Sequence, residues 1–191
     1  MLKANFSRDA PQRGGAMAPV HRLAGTGDLD AIRALMENSI AELQNPHLDA
    51  KQIASSRLIM GLDTQLIADQ TYFVVDIDGH MAGCGGWSRR ATLYGSDATP
   101  GREPALLDPT TDAARIRAMY THPAHVRKGI GRLILQLCER AARDDGFRRA
   151  ELVATLSGEP LYAACGYAAL ERFSDARGGV AVPLVRMAKL I

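Results

Sequence analysis

Apolar side chains recur at helical spacing in the first third of the chain. Residues 20–24 predict a short strand, and the helical pattern after it has Thr26 or Asp28 as its predicted cap. Its apolar positions are Leu29, Ile32, Leu35, Met36 and Ile40. A second helical pattern runs from about Asp49 to Asp69, and Gly61 is a predicted break in it. The chain is therefore expected to begin with one strand and two helices.

The middle of the chain favours extended structure. The β-rich stretch Tyr72–Val75 leads into an Asp78-Gly79 turn and a glycine-rich segment, which together predict a hairpin. Residues 90–111 show no periodicity and contain three prolines and two glycines. They predict one long surface loop, and loops of this length are often functional.

Strands and helices alternate in the remaining part of the chain. Residues 113–121 predict a central strand, in which Ile116, Ala118 and Tyr120 alternate with Arg115, Arg117 and Met119. From Ile130 onward, apolar residues at i, i+3, i+4, i+7, i+8 and i+11 predict an amphipathic helix that ends at Asp144-Asp145-Gly146. A strand at 150–155, a short helix at Glu159–Ala164, and strands near Tyr167–Phe173 and Val182–Lys189 complete the prediction. This order indicates an α/β class with a mostly antiparallel first half.

Composition and charge narrow the class of protein. The chain has 191 residues, of which 47% are apolar, and this suits one domain at 19–191 with a real core. Residues 1–18 are rich in Gly, Pro, Arg and Gln and predict a flexible N-terminal arm. A formal net charge of +2 argues against nucleic-acid or anionic-membrane binding.

The cysteines and the apolar runs bear on location. Cys84, Cys138 and Cys165 form no C-x-x-C pair and predict buried thiols in a reducing compartment. No apolar run resembles a signal peptide or is long enough to span a bilayer. A cytoplasmic protein is therefore expected.

The segment THPAHVRKGIGRLILQ, at Thr121–Gln136, carries the clearest chemical signal. A helix start leaves backbone N–H groups unpaired, and Gly129 and Gly131 remove the Cβ atoms that would shield them. Arg127, Lys128 and Arg132 add positive charge at the same point, which favours a pyrophosphate over a single carboxylate. The alternative is a tight turn whose glycines only begin a helix, and the turn by itself leaves both interpretations open.

Two other phosphate-binding loops do not fit. The P-loop requires G-x-x-x-x-G-K-[ST], but Lys128 precedes its glycine and no Ser or Thr follows. The dinucleotide fingerprint requires a third glycine where this chain has Ile134. Neither an NTPase nor a nicotinamide enzyme is indicated.

The strand, the turn and the helix, followed later by PLYAACGY, resemble the GNAT superfamily of acetyl-CoA-dependent N-acetyltransferases. Motif A of that family, [QR]-x-x-G-x-[GA], corresponds to Val126–Gly131, although Val126 stands where Gln or Arg is usual. Leu161–Tyr167 resembles the family element F-Y-x-x-x-G-[FY], and Thr155 or Ser157 replaces the Asn often found upstream of it. The resemblance covers roughly Val20 to Lys189. It implies a GNAT-type α/β (α+β) fold, with a mixed, mostly antiparallel sheet of six to seven strands flanked by helices.

The resemblance also implies a function and a set of site residues. The implied reaction transfers the acetyl group of acetyl-CoA, without a metal, to an amine of a small molecule or protein by direct attack. Tyr162 is implied as the general acid that protonates the departing thiolate. The implied coenzyme-binding residues are Met119, Tyr120 and Thr121 along the pantetheine arm, and Val126, Arg127, Lys128, Gly129, Ile130, Gly131 and Arg132 around the pyrophosphate. GNAT relatives are often dimers, which favours a homodimer by analogy.

Several assignments have alternatives. The general base is His122, His80 or Asp112, or water relays the proton; we favour water. Arg115 and Arg117 face either an acceptor cleft or, as we favour, salt-bridge partners on neighbouring strands or the long loop. Trp87 lines the acceptor pocket or packs in the core. Glu139 and Arg143, at i and i+4, predict a solvated helix pair.

Two other functions compete with acetyl transfer. One is a non-catalytic acyl-CoA binding module, and the other is a nucleic-acid binder, which the low net charge disfavours.

Overall fold

The computed structural model describes residues 18–191, and within this range the chain forms seven strands and five α helices. Apart from its last residue, the predicted arm at 1–18 lies outside the described residues, and the domain boundary stays a prediction. The strands are β1 (Val20–Leu23), β2 (Tyr72–Ile77), β3 (His80–Ser88), β4 (Ala114–Thr121), β5 (Arg149–Thr155), β6 (Ala168–Asp175) and β7 (Val182–Leu190). The helices are α1 (Leu29–Leu43), α2 (Ala50–Ser56), α3 (Thr64–Ala68), α4 (Ile130–Asp144) and α5 (Glu159–Ala164).

The strands form one open sheet in the order β1-β2-β3-β4-β5-β7-β6. Every neighbouring pair is antiparallel except β4 and β5, which are parallel. The predicted mixed, mostly antiparallel sheet flanked by helices is confirmed. The parallel pair matches only Ala114 with Ala150 and Arg115 with Glu151, so the two strands part after their first residues.

Strand β4 contains a bulge. Its register with β3 shifts between Arg117 and Tyr120, where β4 has one more residue than β3, and Ala118 has φ +48°. An inserted residue sends the following side chains to the other face of the sheet. Ile116 therefore packs in the core beside α4, whereas Tyr120 packs in the core beside α1. The prediction that Ile116, Ala118 and Tyr120 share one side is wrong for this reason.

Helices cover both faces of the sheet. On one face, buried α4 residues including Ile134 and Cys138 pack with Trp87 and Phe147. On the other face, α1 residues such as Ile32 and Met36 pack with residues of β2 and β3. The close approach of α4 depends on the small residues of β3: a Cβ on Gly83 would lie 2.6 Å from Ile130, and one on Gly85 would lie 2.8 Å from Ile134.

Two predictions about the early and middle segments need amendment. The helical pattern at 49–69 forms α2 and α3, separated by a turn that contains Gly61 at φ +144°. Residues 90–111 lack helices and strands as predicted, apart from one isolated bridge between Arg90 and Leu106. They are not purely a surface loop, because Thr92, Ser96 and Thr99 are buried.

Glu139 does not form the predicted solvated pair with Arg143. Its side chain is buried, and its two carboxylate oxygens accept hydrogen bonds from Lys189 Nζ at 2.9 and 3.0 Å. Spacing along α4 could not reveal this partner, because Lys189 comes from β7 at the far end of the chain.

We expect Gly85→Ala to lower the free energy of unfolding by about 1–3 kcal/mol, because overpacking a close contact forces neighbouring groups apart. The new Cβ would lie 2.7 Å from Met119 Cγ and 3.1 Å from its Cα. Urea denaturation measures the change. Gly27→Ala is the matched control, since nothing lies within 4 Å of its Cβ; equal losses in both variants would contradict the close-packing argument.

Candidate active site

A cleft of about 700 Å³ lies where β4 and β5 separate. Because the two strands are neighbours in the sheet, a gap between them passes from one face of the sheet to the other. We call its two sides the α4 mouth and the α1 mouth. The α4 mouth is lined by Val126, Arg127, Gly129, Gly131, Arg132, Leu161 and Tyr162. The α1 mouth is lined by Ser39, Leu43, Gln44, His47, Ile59, Met60, Leu93, Tyr94, Val153 and Thr155.

At the α4 mouth the chain turns sharply into α4. Gly129 has φ +84°, a left-handed conformation that favours glycine, and no side chain caps the helix start. A Cβ on Gly129 would meet nothing within 4 Å, so this turn is open to a ligand. Gly131 serves a different purpose, because its Cβ would lie 2.8 Å from Leu161 of α5. One glycine therefore shapes the turn, and the other lets α5 approach α4.

The charge at this mouth is positive. Arg127 and Arg132 line the cleft beside the uncapped helix start, whereas Lys128 is exposed and lies outside the lining. Unpaired N–H groups, the helix dipole and two guanidinium groups converge on the same space. This arrangement suits an anion such as a pyrophosphate.

The bulge of β4 forms the centre of the cleft, which Ala118, Met119, Tyr120 and Thr121 line. Two tyrosine hydroxyls fix its conformation. Tyr72 Oη donates to the carbonyl oxygen of Ala118 at 2.7 Å, and Tyr120 Oη accepts from the Gly61 N–H at 2.8 Å. Ala118 and Met119 have no partner residue in the ladder with β3. The two tyrosine hydrogen bonds therefore hold the bulge where the ladder with β3 does not.

Tyr162 lies on α5 and is half-buried at the cleft. Its ring packs edge to face against Tyr167, with centroids 6.0 Å apart. Burial, followed by the neighbouring thiols of Cys138 and Cys165, raises the pKa of Tyr162 above its usual value. The hydroxyl therefore keeps its proton at neutral pH.

A polar bridge crosses the opening from α1 to β5. Gln44 Nε2 lies 3.5 Å from Thr155 Oγ1, which lies 3.0 Å from Ser157 Oγ. All three residues line the cleft, and the side-chain oxygen of Gln44 has no partner among residues 18–191. Thr155 and Ser157, which the sequence places where the family often has Asn, thus lie at the cleft.

Arg115 and Arg117 both have salt-bridge partners, but only the partner of Arg115 lies on a neighbouring strand as the favoured alternative predicted; the partner of Arg117 is Asp63, the residue before α3. Arg115 Nη1 lies 2.7 Å from Glu151 Oε2 on β5. Arg117 Nη2 lies 2.8 Å from Asp63 Oδ2, and Arg117 also donates to the carbonyl oxygens of Thr92 at 2.7 Å and Gly95 at 2.9 Å. Arg117 therefore ties the 90–111 segment to the strand that carries the bulge.

Other candidates lie away from the cleft. The cleft lining includes none of the predicted bases His80, His122 and Asp112. The Nδ1 atom of His122 instead accepts a hydrogen bond from the Ala124 N–H at 3.2 Å. Trp87 packs in the core, edge to face with Phe147 at 6.0 Å, rather than in the pocket.

Sequence reasoning missed two histidines that line the cleft, His47 and His125. His47 lies in a turn and His125 ends a short 3-10 helix at Pro123–His125, and neither belongs to a periodic pattern or motif that would have marked it. Burial, together with the charges of Lys128 and His122, lowers the pKa of His125 and keeps it neutral at neutral pH. No Asp or Glu lines the cleft within the described part of the chain.

Two further searches cover only residues 18–191. Within them no cluster of three His, Cys, Asp or Glu side chains could hold a metal ion. No helix in this range is both long and apolar enough to cross a membrane.

The uncapped, positively charged helix start lies beside the split in the mixed sheet, an arrangement that suits an anionic ligand. A sequence profile of the acetyltransferase (GNAT) family matches residues 33–167, and the chain belongs to this family. Among curated proteins, none matches the chain in sequence.

Solved structures of acetyltransferases share the fold. A GCN5-related N-acetyltransferase from Rhodopseudomonas palustris has a TM-score of 0.68 at 18% identity, over 94% of this chain and 99% of that one. PaiA N-acetyltransferase from Thermoplasma acidophilum, solved with coenzyme A, has a TM-score of 0.61 at 13% identity, over 92% of this chain and 100% of that one. YncA from Salmonella typhimurium, solved with acetyl-CoA, has a TM-score of 0.59 at 17% identity, over 91% of this chain and 94% of that one. Similarity at these identities shows the fold alone.

We expect Arg117→Met to lower the free energy of unfolding by about 3 kcal/mol, because it leaves the buried Asp63 carboxylate with one of its two guanidinium partners removed. This value is at the lower end of the stability losses seen when one partner of a buried ion pair is removed, since Arg102 also contacts Asp63. The control is Arg33→Met, which breaks an exposed pair with Asp30 worth at most about 1 kcal/mol. Urea denaturation measures the free energy of unfolding of both variants. Similar decreases would show that the buried pair contributes no more to stability than the exposed one.

Proposed function

We propose that this protein is an N-acetyltransferase that carries an acetyl group from acetyl-CoA to an amine through the cleft between β4 and β5. One observation carries the proposal: a single cleft opens on both faces of the sheet, with an uncapped, positively charged helix start at one mouth. Two substrates can therefore approach the same bulge from opposite sides without competing for space.

The α4 mouth suits coenzyme A. Backbone N–H groups from Gly129 to Arg132 hold the pyrophosphate, and the guanidinium groups of Arg127 and Arg132 neutralise it. Val126 contributes through its backbone, since its side chain cannot hydrogen-bond. Lys128 adds charge only at longer range, because it lies outside the cleft lining. The pantetheine arm runs along Met119–Thr121, where β4 has left β5 and its edge is open.

The bound thioester supplies an activated acetyl group, and the protein's residues handle the charge and the protons. The amine nitrogen lone pair forms a C–N bond to the carbonyl carbon, and the C–S bond breaks with its electron pair moving to sulfur. A backbone N–H near Met119 polarises the thioester carbonyl, since preorganised donors stabilise the negative charge that develops on its oxygen. Tyr162 gives its proton to the departing sulfur and is reprotonated from solvent.

The amine must lose a proton as it is acylated. Among the described residues no carboxylate lines the cleft, and none of the predicted bases His80, His122 and Asp112 does; its histidines are His47 and His125. We propose that water carries this proton to solvent through the α1 mouth, where the acceptor enters. A cytoplasmic location and a homodimer stay predictions from the sequence.

We expect Gly129→Asp to weaken acetyl-CoA binding at least about tenfold relative to Gly129→Asn, because only Asp places a negative charge beside the pyrophosphate. Both residues tolerate the left-handed conformation and have room for their side chains. Asp also favours a helix start, so this variant should remain folded. Calorimetric titration measures the two dissociation constants; equal values would place the coenzyme elsewhere.

We expect Tyr162→Phe to lower kcat by about a hundredfold or more, the usual contribution of a general acid, while acetyl-CoA binding changes little. Free thiol release with an acceptor amine measures turnover, and calorimetry measures binding. Loss of binding along with turnover would make Tyr162 a packing residue. Tight acetyl-CoA binding by wild type without turnover of any amine would favour the non-catalytic binding module.

A further inference from the structure

The α1 mouth is largely apolar. Its apolar lining residues are Leu43, Ile59, Met60, Leu93, Tyr94 and Val153. Four of them, Ile59, Met60, Tyr94 and Val153, also belong to a cluster built on buried residues including Leu48 and Leu184. The mouth is therefore an extension of a packed apolar region rather than a set of isolated side chains.

The same mouth offers no negative charge. No Asp or Glu lines the cleft within residues 18–191, and the polar side chains of this mouth include Ser39, Gln44, His47 and Thr155. The guanidinium of Arg117 is neutralised by Asp63 at 2.8 Å. A second cationic group on an acceptor would lose its hydration here without gaining an ionic partner, which is costly.

The 90–111 segment is fixed where it forms this wall. Arg117 holds the carbonyl oxygens of Thr92 and Gly95, on either side of Leu93 and Tyr94. Tyr94 Oη lies 2.9 Å from Asp175 Oδ2, and the guanidinium carbon of Arg177 lies 5.0 Å from the Tyr94 ring centroid. Leu93 and Tyr94 thus form a preorganised surface, which selects ligands at a lower entropic cost than a loop that must order on binding.

We propose that the acceptor, under the proposed acetyl transfer, is a monoamine whose single amino group is borne by an apolar alkyl or aryl body, and that Leu93 and Tyr94 of the 90–111 segment are specificity-determining residues. The apolar body packs on the wall of the α1 mouth, and the amino group points to the bulge at Met119. Polyamines and other acceptors with several cations are excluded by the lack of a carboxylate for the second charge.

A matched pair of amines tests the substrate class. Hexylamine and hexamethylenediamine have the same chain length and differ by one terminal amino group. With saturating acetyl-CoA at neutral pH, thiol release gives kcat/KM for each amine, and mass spectrometry identifies the acetylated product. We expect hexylamine to be preferred at least about tenfold, with phenethylamine also acetylated, because differences in kcat/KM report differential transition-state binding. An equal or higher value for the diamine would overturn the proposal.

Leu93→Glu tests the residue. A carboxylate in the α1 mouth should shift the ratio of the two kcat/KM values toward the diamine by about tenfold or more, since it supplies the missing ionic partner. Leu106→Glu is the matched control, because Leu106 lies in the same segment, is 67% exposed and is outside the cleft lining. Gln44→Glu provides the same test from α1, should Leu93→Glu fail to fold by thermal melting. If a folded variant leaves the ratio of the two kcat/KM values unchanged, the substituted residue does not select the acceptor. This result would contradict the proposal.

The results also separate this inference from the function on which it rests. If acetyl-CoA binds and the diamine or another polycation is the better substrate, the acetyl-transfer proposal stands and the acceptor class is wrong. If acetyl-CoA binds but neither monoamine reacts nor raises the Tm of the complex, the acceptor class is again wrong. If acetyl-CoA itself does not bind the folded wild type, both proposals fall.

Discussion

The early separation of β4 from β5 is the constraint on which the rest of the site depends. Parallel strands side by side normally continue their ladder, but here only two residue pairs form. The bulge at Ala118 turns β4, and Tyr72 holds the bulge by its carbonyl oxygen. A sheet is otherwise a closed barrier between its two faces. Parting one pair of strands gives both faces access to one point on the backbone.

The two faces then take on different chemistry. On one face, Gly83 and Gly85 let α4 lie close to β3, and this closeness sets the helix start beside the gap. That mouth is positively charged and unshielded. On the other face, α1 and the 90–111 segment form a largely apolar mouth, with no carboxylate in its lining among the described residues. Such asymmetry suits a reaction between a polyanionic donor and an uncharged amine.

The buried pair of Arg117 and Asp63 fixes the position of the 90–111 segment more than it stabilises the fold. Ion pairs taken out of water lose hydration, so Arg117 with Asp63 need not stabilise the fold more than apolar residues of similar size would. Their geometry is specific, however, because Arg117 also donates hydrogen bonds to the carbonyl oxygens of Thr92 and Gly95. We interpret the pair as the anchor that keeps the 90–111 segment at the cleft.

Local sequence was enough to predict most elements and the glycine turn, because apolar spacing, turn residues and helix starts act over a few neighbouring residues. It predicted α4, the β2–β3 hairpin and α5 closely, and it marked Arg127, Gly129 and Gly131. Contacts in the folded chain set which face Tyr120 occupies, how β4 leaves β5, and that Arg117 meets Asp63, 54 residues away. These features depend on contacts between distant segments, for which neither periodicity nor a local motif carries a signal.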